Sequence, residues 1–368
     1  MSSSTGTRTR VAIIGTSRRA SYLYGPLLRA LPEVELVGVW GRRQEPARSL
    51  GESLGVPAYT DLDRLVRELN PEIGVVAVSY SANGEVGLMA VEAGLHALLE
   101  TPIAHDLAEA DAIIQSAYNR GLKIEVAEQF HRRPLEALKL KLIESGLFGR
   151  VYSSFNDFAG HGYHGVSVMR SYLGFDARPV QVGGAVQKYD LSERTETQEH
   201  GTVWFEGGQI GVFHWTDVAY GSPLRWWRSS RFLAERGMGI TVGVGLDVEE
   251  RLSLLAPGCE APRFITVERR FERVDGGALV AMLGHTGDPE LPIVRWDNPF
   301  APEVQGHGPQ WHDDEIGVAG CVMSLVRAVR DGGTPTYGAL QARLDQEIIL
   351  ALRRSSEQGG QPVALPLQ

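Results

Sequence analysis

Apolar residues in the first third of the chain fall in short runs that are typical of buried strands. The segments between these runs, such as residues 20–31, 45–54 and 107–119, have their apolar residues at helical spacing. Strands that alternate with helices in this way indicate βαβ units and a doubly wound parallel sheet. The runs are RVAIIG (10–15), VELVGVW (34–40), IGVVAVS (73–79), HALLE (96–100) and LKIEVAE (122–128).

Beyond about residue 150 the pattern changes to alternating apolar and polar residues, as in VYSSFNDF, PVQVGGAVQKYD and QIGVFHWT. Such alternation, with few helices between, predicts a large, mostly antiparallel open sheet. Helical spacing returns at 312–331 and 338–358. We therefore predict a disordered lead-in at 1–9, an α/β Rossmann domain at 10–130 and an α+β domain at 131–368. The C-terminal helix and tail are expected to pack back on the first domain.

Composition narrows the class of protein. Hydrophobic residues make up 43% of the chain and charged residues 22%, which is ordinary for a soluble globular protein. The net charge of −9 argues against nucleic acid as a partner, because phosphate binding needs a basic face. No apolar run is long enough to span a membrane, and the N-terminus lacks an apolar signal segment. Cys259 and Cys321 have neither disulfide nor metal-ligand spacing, so we expect a reduced, cytoplasmic protein without a metal.

The first strand ends in a turn with part of a dinucleotide-binding motif. The turn reads GTSRRASYLYG, and of the GxGxxG pattern it keeps only the first glycine, Gly15. Its position after a strand and before a helix N-terminus favours binding of a pyrophosphate by Gly15, Thr16, Ser17 and Arg18. The alternative is a strand–helix turn in a fold that has lost its nucleotide.

The end of the second strand bears on the choice of cofactor. An acidic residue there usually holds the ribose hydroxyls of NAD, but this strand ends VWGRRQ, with Gly41 at the expected acidic position. Arg42 and Arg43 follow, and guanidinium groups suit a 2′-phosphate in geometry and charge. The sequence thus favours NADP over NAD, with two solvated surface arginines as the alternative interpretation.

Four segments together resemble the Gfo/Idh/MocA family, named after glucose–fructose oxidoreductase, inositol dehydrogenase and MocA. They span nearly the whole chain, in the order and spacing of that family. The resemblance implies a nucleotide domain, a second domain whose sheet forms a homo-oligomer interface, and a sugar-like or cyclitol substrate bound in the cleft between domains. The segments are AVEAGLHALLETPIAHDLAEADAII, AEQFHRRPLEALKLKLIESGLFGRVYSS, HGVSVMRSYLG and PTYGALQARLDQEIILALRRSSEQGGQPVALPL.

The chain departs from the family at the residues that handle protons. The lysine of the family's EKP motif corresponds to Thr101, and two family aspartates correspond to Gly160 and Ser167. The family histidine is retained as His164. A threonine hydroxyl titrates far above neutral pH and does not replace a lysine as a base, although it is able to hydrogen-bond a substrate or ribose hydroxyl.

New titratable residues lie near the retained histidine. The loop GHGYHG (160–165) holds His161, Tyr163 and His164, and imidazole acts as acid or base near neutral pH. We predict that these three residues and Thr101 form the catalytic group; a core histidine and a surface histidine in a loop that leads into a helix are the alternative. Ser79, Glu100 and Glu128 follow later strands and are predicted, with Thr101, to line the cofactor.

Three functions are compatible with this pattern. The first is an NAD(P)-dependent oxidoreductase that transfers hydride at a carbinol carbon of a sugar, cyclitol or sugar-like substrate, including nucleosides and natural products. The second is a redox-neutral dehydratase, lyase or hydrolase that keeps NAD(P) bound for transient oxidation, elimination and re-reduction. The third is a non-catalytic sensor or scaffold. Lost groups coincide with a compact set of new titratable ones, which favours an enzyme.

Overall fold

The structure is a computed structural model that describes residues 8–159, 162–192, 194–216, 228–243, 248–256, 258–273, 276–300 and 313–367. The chain forms two compact units. Of the described residues, the first unit holds those up to Gln129, Pro299, Phe300 and Glu315–Arg343. The second unit holds those within Phe130–Asn298 and Leu344–Gln368, together with Asp313 and Asp314.

The first part of the chain alternates strands and helices as its apolar runs predict. A π-helical turn at Ala20–Tyr24 precedes the first α-helix. Strand β1 begins one residue before the predicted start, because the Thr9 amide already donates to the Glu33 carbonyl at 2.8 Å. The elements are β1 (Thr9–Ile14), α1 (Gly25–Ala30), β2 (Val34–Trp40), α2 (Gln44–Leu54), β3 (Ala58–Tyr59), α3 (Leu62–Leu69), β4 (Ile73–Val76), α4 (Asn83–Glu92), β5 (His96–Leu99), α5 (Leu107–Arg120) and β6 (Ile124–Val126).

These strands form a parallel sheet in the order β3-β2-β1-β4-β5-β6. Its central strand, β1, is fully buried from Val11 to Ile14, as expected of a strand covered by helices on both faces. The strand order reverses between β1 and β4, and ligands of open α/β sheets bind at such a switch point, outside the carboxyl ends of the strands. The predicted Rossmann architecture is confirmed.

Among its described residues, the remainder of the chain contributes the second, larger sheet and four α-helices. Its elements are α6 (Pro134–Glu144), β7 (Val151–Ala159), α7 (Gly162–Leu173), β8 (Pro179–Asp190), β9 (Thr195–Phe205), β10 (Ile210–Thr216), β11 (Arg228–Ala234), β12 (Gly237–Val242), β13 (Glu249–Leu254), β14 (Arg263–Arg273), β15 (Gly276–His285), β16 (Ile293–Asp297), α8 (Asp313–Asp331), α9 (Ala339–Glu357) and β17 (Val363–Ala364).

In the part of the chain that the structure describes, eleven strands form this sheet in the order β16-β15-β14-β13-β12-β11-β7-β10-β9-β8-β17. Neighbours are antiparallel except β7 and β10, which run parallel, so the predicted mostly antiparallel open sheet is confirmed. Helix α7 packs on β7 and β10, and α6 packs on β15 and β16. No helix in the described ranges combines the length and hydropathy needed to cross a bilayer. The same residues contain no cluster of three or more histidine, cysteine or acidic side chains placed to hold a metal ion.

Candidate functional site

The turn after β1 is built for a close backbone approach. Gly15 has a φ of +129°, and a Cβ on it would lie 2.3 Å from the carbonyl oxygen of Ala77. Its amide donates to the Trp40 carbonyl at 2.8 Å, and the Ser17 amide donates to Ala77 at 3.3 Å. Only glycine fits there, because any side chain would push the turn away from the end of β4. The turn leads directly into the helical residues before α1, where backbone amides favour an anion.

The end of β2 is equally crowded at Gly41. A Cβ on Gly41 would lie 2.7 Å from the Thr16 methyl group and 3.2 Å from the Ala47 side chain, so an acidic residue does not fit without a shift of the turn. Arg42 and Arg43 come next and both are exposed. Within the described part of the chain neither guanidinium has a hydrogen-bond or ion-pair partner.

Glu100 follows β5 and is held by two side chains from the first turn and helix. Arg19 donates from Nε to the Glu100 carboxylate at 2.7 Å, and the Tyr24 hydroxyl donates to the same oxygen at 2.8 Å. Burial, followed by the nearby Glu100 charge, raises the pKa of Tyr24 well above its usual value, so the tyrosine remains a donor. The carboxylate is thereby fixed in orientation at the sheet edge.

Thr101 lies in a segment that one buried amide ties in place. The Asn83 side chain, only 2% exposed, donates to the carbonyl oxygens of Glu100 at 2.7 Å and Pro102 at 2.8 Å. The Thr101–Pro102 peptide bond is cis. Thr101 itself is half-buried, so its short hydroxyl side chain sits at a fixed point directly after β5.

The other predicted cofactor residues share this edge of the sheet but differ in exposure. Ser79 follows β4, is exposed and lies 3.2 Å from the Ser81 hydroxyl. Arg18 is exposed and its guanidinium lies 5.6 Å from the Tyr22 ring centroid. Glu128, after β6, is fully buried. The first unit therefore brings the whole predicted cofactor set to the carboxyl ends of its parallel strands, with Glu128 beneath the surface.

In the second unit, Tyr163 and His164 are both buried, at 7% and 8% exposure. They belong to the first turn of α7 rather than to a loop. Their glycine neighbours let the helix approach the sheet: a Cβ on Gly162 would lie 2.9 Å from the Phe213 ring, and one on Gly165 would lie 3.1 Å from it. Gly162 and Gly165 therefore lie in a helix that packs on the sheet, where the sequence analysis placed a loop. His161 and Gly160 lie outside the described residues.

The His164 ring is oriented by an aromatic partner. It stacks on Phe130 with a centroid separation of 4.3 Å and an interplanar angle of 29°. The Arg133 guanidinium lies 3.8 Å from the centroid of the same Phe130 ring. Tyr163 meets His164 edge-on, with centroids 6.3 Å apart. Phe130 therefore fixes the plane of the candidate acid–base group.

A second buried histidine adjoins the position of a missing family aspartate. His131 is 7% exposed, and its Nδ1 lies 3.4 Å from the hydroxyl of Ser167, which is fully buried. Burial, with a smaller contribution from the neighbouring Arg132 charge, holds the pKa of His131 well below its usual value. This imidazole is neutral at physiological pH.

A polar cluster beneath α6 was not identified from the sequence. Lys139 is fully buried, and its ammonium nitrogen contacts oxygens of Glu136 at 2.8 Å, Ser230 at 3.1 Å and Thr241 at 2.6 Å, together with the Tyr172 hydroxyl. Burial lowers the pKa of Lys139. The available signal was a lysine within the apolar stripe of α6, which demands buried partners.

Comparison with known proteins agrees with this geometry. Residues 9–128 match the model of the Gfo/Idh/MocA family, described as an oxidoreductase family with an NAD-binding Rossmann fold. An uncharacterised oxidoreductase of Schizosaccharomyces pombe is 31% identical over 146 residues, which is 39% of this chain and 39% of that protein. D-glucoside 3-dehydrogenase of Escherichia coli is 28% identical over 153 residues, 41% of this chain and 43% of that protein. These matches span about two fifths of the relatives' length.

The fold comparison extends over the entire chain. A crystal structure of an NAD-binding oxidoreductase from Klebsiella pneumoniae superposes with a TM-score of 0.75 at 16% identity, covering 99% of this chain and 100% of that one. At that identity the likeness establishes the fold. The nucleotide-binding part of the chain, residues 9–128, is therefore that of the Gfo/Idh/MocA family of oxidoreductases, and the solved structure shows that the chain shares its two-sheet fold.

Proposed function

We propose that this protein is an NAD(P)-dependent oxidoreductase that acts on a carbinol carbon of a sugar, cyclitol or sugar-like substrate. The turn at Gly15 carries the proposal, because its backbone approaches the end of β4 so closely that a Cβ would lie 2.3 Å from a carbonyl oxygen. Such a glycine turn, at the switch point of a parallel sheet and before a helix, suits a dinucleotide pyrophosphate.

Two observations support NADP(H) as the preferred nucleotide. The position of the usual ribose-binding acid is Gly41, where a Cβ would lie 2.7 Å from Thr16. The exposed Arg42 and Arg43 follow it, with no anionic partner among the described residues. Guanidinium groups placed there suit a 2′-phosphate and give no advantage to a free hydroxyl.

His164 is the proposed acid–base residue. The nicotinamide, when bound, exchanges a hydride with the carbinol carbon. An imidazole exchanges the hydroxyl proton near neutral pH, and stacking on Phe130 holds its ring plane. Thr101 is assigned a hydrogen-bonding role, since its hydroxyl does not ionise in this range. Tyr163 and His161 are assigned to the same group as donors to the substrate oxygens.

Thr101 also favours a second candidate, a redox-neutral lyase or hydrolase that retains its nucleotide. In that reaction the substrate is oxidised transiently, the adjacent C–H bond is deprotonated, a group is eliminated and the hydride returns. Histidine and tyrosine without lysine suit proton abstraction next to a carbonyl. The two functions differ in whether free NAD(P)H accumulates during turnover.

A homo-oligomer built on the second sheet is part of the proposal. On the face opposite α7, the half-buried side chains of Phe155, Val212, Leu233 and Ile240 lie around Arg231, whose guanidinium is 4.2 Å from the Phe155 ring centroid. Half-buried apolar side chains grouped around an arginine on a sheet face are suited to burial against a second copy.

The proposal is tested first by mass spectrometry of the supernatant of freshly purified, denatured protein, followed by titration with NAD(H) and NADP(H). We expect one of these nucleotides to be recovered or to bind. On a panel of D-glucosides and cyclitols, His164→Ala is expected to abolish turnover while it retains nucleotide binding. His285→Ala, at a half-exposed histidine of the same unit, serves as the control and keeps turnover. Absence of nucleotide binding, or an active His164→Ala protein, would contradict the proposal.

A further inference from the structure

A cavity in the second unit shares a wall with the candidate acid–base histidine. Apolar side chains form most of its surface, among them Leu135 on α6, Phe158 on β7, Val248 before β13 and Met282 on β15. Phe130 also lines it, and that same ring stacks on His164. A ligand bound in this cavity therefore lies one aromatic ring away from His164.

The floor of the cavity is polar and belongs to the buried cluster around Lys139. Glu136, Ser230 and Thr241 line it directly. Ser230 donates to Glu136 Oε1 at 3.0 Å, while Lys139 contacts Glu136 Oε2 at 2.8 Å and the Tyr172 hydroxyl donates to that same oxygen. The floor is thus a preorganised set of oxygens that apolar walls surround.

Two hydrogen-bonding positions on this floor are unused within the described residues. Thr241 is 6% exposed; its oxygen accepts from Lys139, and its own hydroxyl hydrogen has no acceptor. Glu136 Oε1 accepts only from Ser230, so one lone pair of that carboxylate oxygen is left. An unsatisfied donor beside an unsatisfied acceptor is unfavourable in a buried pocket and favours a ligand that completes both.

The carboxylate and the Thr241 hydroxyl are held close to each other by Lys139. Glu136 Oε2 and Thr241 Oγ1 contact the same Lys139 nitrogen, at 2.8 and 2.6 Å, so these two oxygens are at most about 5.4 Å apart, and the free lone pair is on the other oxygen of that carboxylate, Oε1. Both unused groups line the same cavity, so one ligand hydroxyl is a candidate to bind them together. It would donate to the Glu136 carboxylate and accept from Thr241.

The volume of the cavity and the charges around it indicate the size and charge of the ligand. The cavity offers about 40 Å³ to the centres of water molecules, which at roughly 10–15 Å³ each corresponds to about three waters. Three waters occupy about 90 Å³ of liquid, similar to one six-membered ring. The charged side chains that line the cavity, or form ion pairs with residues that line it, balance each other, and this favours a neutral ligand. The cationic ones are Arg133, Arg228, Arg269 and Lys139, and the anionic ones are Glu136, Glu250, Asp313 and Asp314.

We propose that this cavity binds a neutral, phenol-like group, with its ring among the apolar walls and its hydroxyl between Glu136 and Thr241. Resting on the proposed function, this narrows the substrate to a sugar-like molecule that carries a phenolic or similar aromatic substituent. Phe130 would then contact both the substituent and His164.

The test measures binding of two fluorinated probes by fluorine NMR, without nucleotide or turnover. The probes are para-fluorophenol and fluorobenzene, which differ only in the hydroxyl. We expect a dissociation constant on the order of 1 mM for para-fluorophenol, reasonable for so small a ligand. Thr241→Val, which removes the donor at nearly constant volume, should weaken para-fluorophenol by about three- to tenfold and leave fluorobenzene unchanged. Thr266→Val, at an exposed position of the same sheet, is the matched control.

A second variant fills the cavity from one of its lining residues, Val248. Val248 is half-buried, and Val248→Trp should abolish binding of both probes while the protein stays folded. The proposal is overturned if para-fluorophenol does not bind the wild type, if Thr241→Val weakens both probes equally or neither, or if Val248→Trp still binds. If Thr241→Val does not fold, binding of the probes to Val248→Trp decides whether the proposal stands. These readouts do not involve His164 or hydride transfer, so failure of the proposed function leaves them interpretable.

Discussion

Acidification should destabilise the second unit through one buried histidine. His131 is neutral in the folded state because burial holds its pKa well below 6.5, whereas in the unfolded chain it titrates near that value. As the pH falls below 6.5, the unfolded chain takes up a proton that the folded protein does not. Stability from this group is therefore complete above the unfolded pKa and is lost as the pH decreases.

The size of the effect follows from one proton. Each pH unit below 6.5 removes about 1.4 kcal/mol from the free energy of unfolding, or about 2 kcal/mol by pH 5.0. His131→Gln removes this dependence, so the difference between wild type and variant in urea denaturation should narrow by that amount between pH 6.5 and 5.0. His96 and His200, whose pKa values burial also lowers, are present in both proteins and cancel.

A control variant separates the effect of protonating His131 from the effect of losing one of its contacts. Ser167→Ala removes the hydroxyl that lies 3.4 Å from His131 Nδ1 but retains the imidazole, so it should shift the free energy of unfolding and keep the wild-type pH slope. Carboxylates with lowered pKa values, such as Glu196, contribute only near or below pH 4.5 and do not enter this window. Parallel pH profiles for wild type and His131→Gln would refute the reasoning.

Three further outcomes are expected. Joint replacement of Arg42 and Arg43 by serine should weaken NADP(H) by roughly 10- to 100-fold and NAD(H) little, with Arg67→Ser as the control; equal weakening of both nucleotides contradicts the assignment. Asn83→Ala removes two buried hydrogen bonds and should lower the free energy of unfolding by about 1–3 kcal/mol in urea denaturation; an unchanged denaturation midpoint argues against this. Leu233→Asp should reduce the mass of the homo-oligomer measured by light scattering. A wild-type protein that is itself a monomer would exclude the proposed interface on the second sheet.

The Rossmann half was predictable because its strands are buried on both faces. An uninterrupted apolar run such as VELVGVW leaves little freedom, and β2 has the predicted bounds. Strand β3 and helix α3 were not predicted from the apolar pattern. Strand β3 is two residues long, too short for any period to show. Helix α3 did carry a signal: Asp61 caps it by accepting from the Arg64 amide at 2.9 Å, and its apolar residues Leu62 and Leu65 are three apart.

In the second sheet, alternation predicted strands such as β8, whereas β15 lacks this signal. Strand β8 has the predicted bounds. Strand β15 contains Ala281, Met282 and Leu283, all nearly fully buried, so it lacks the alternation expected of a sheet with one free face. Helix α6 packs against this strand, and that tertiary arrangement is not readable from a period of two.

At the candidate site, the sequence predicted which residues lie at the sheet edge but not which side chains they contact. Parallel strands bring their carboxyl ends to one edge, which is why Gly15, Arg42 and Glu100 were identifiable from strand ends alone. Arg19 and Tyr24 contact Glu100 across 81 and 76 residues of chain. No local pattern encodes such a pairing, since it arises only when the sheet brings the turn after β1 and the end of β5 to the same edge.

The contacts around Thr101 explain how the chain accommodates this residue without losing the segment. The flanking carbonyls are bound by Asn83, and the Glu100 carboxylate is satisfied by Arg19 and Tyr24, so none of these contacts depends on a side chain at position 101. A lysine there would add a titratable group and no structural support. Under the proposed function, its absence removes one proton-transfer group and leaves these contacts in place. The acid–base step of the proposed reaction must then come from another group, and a buried imidazole held in plane by Phe130 is chemically suited to it.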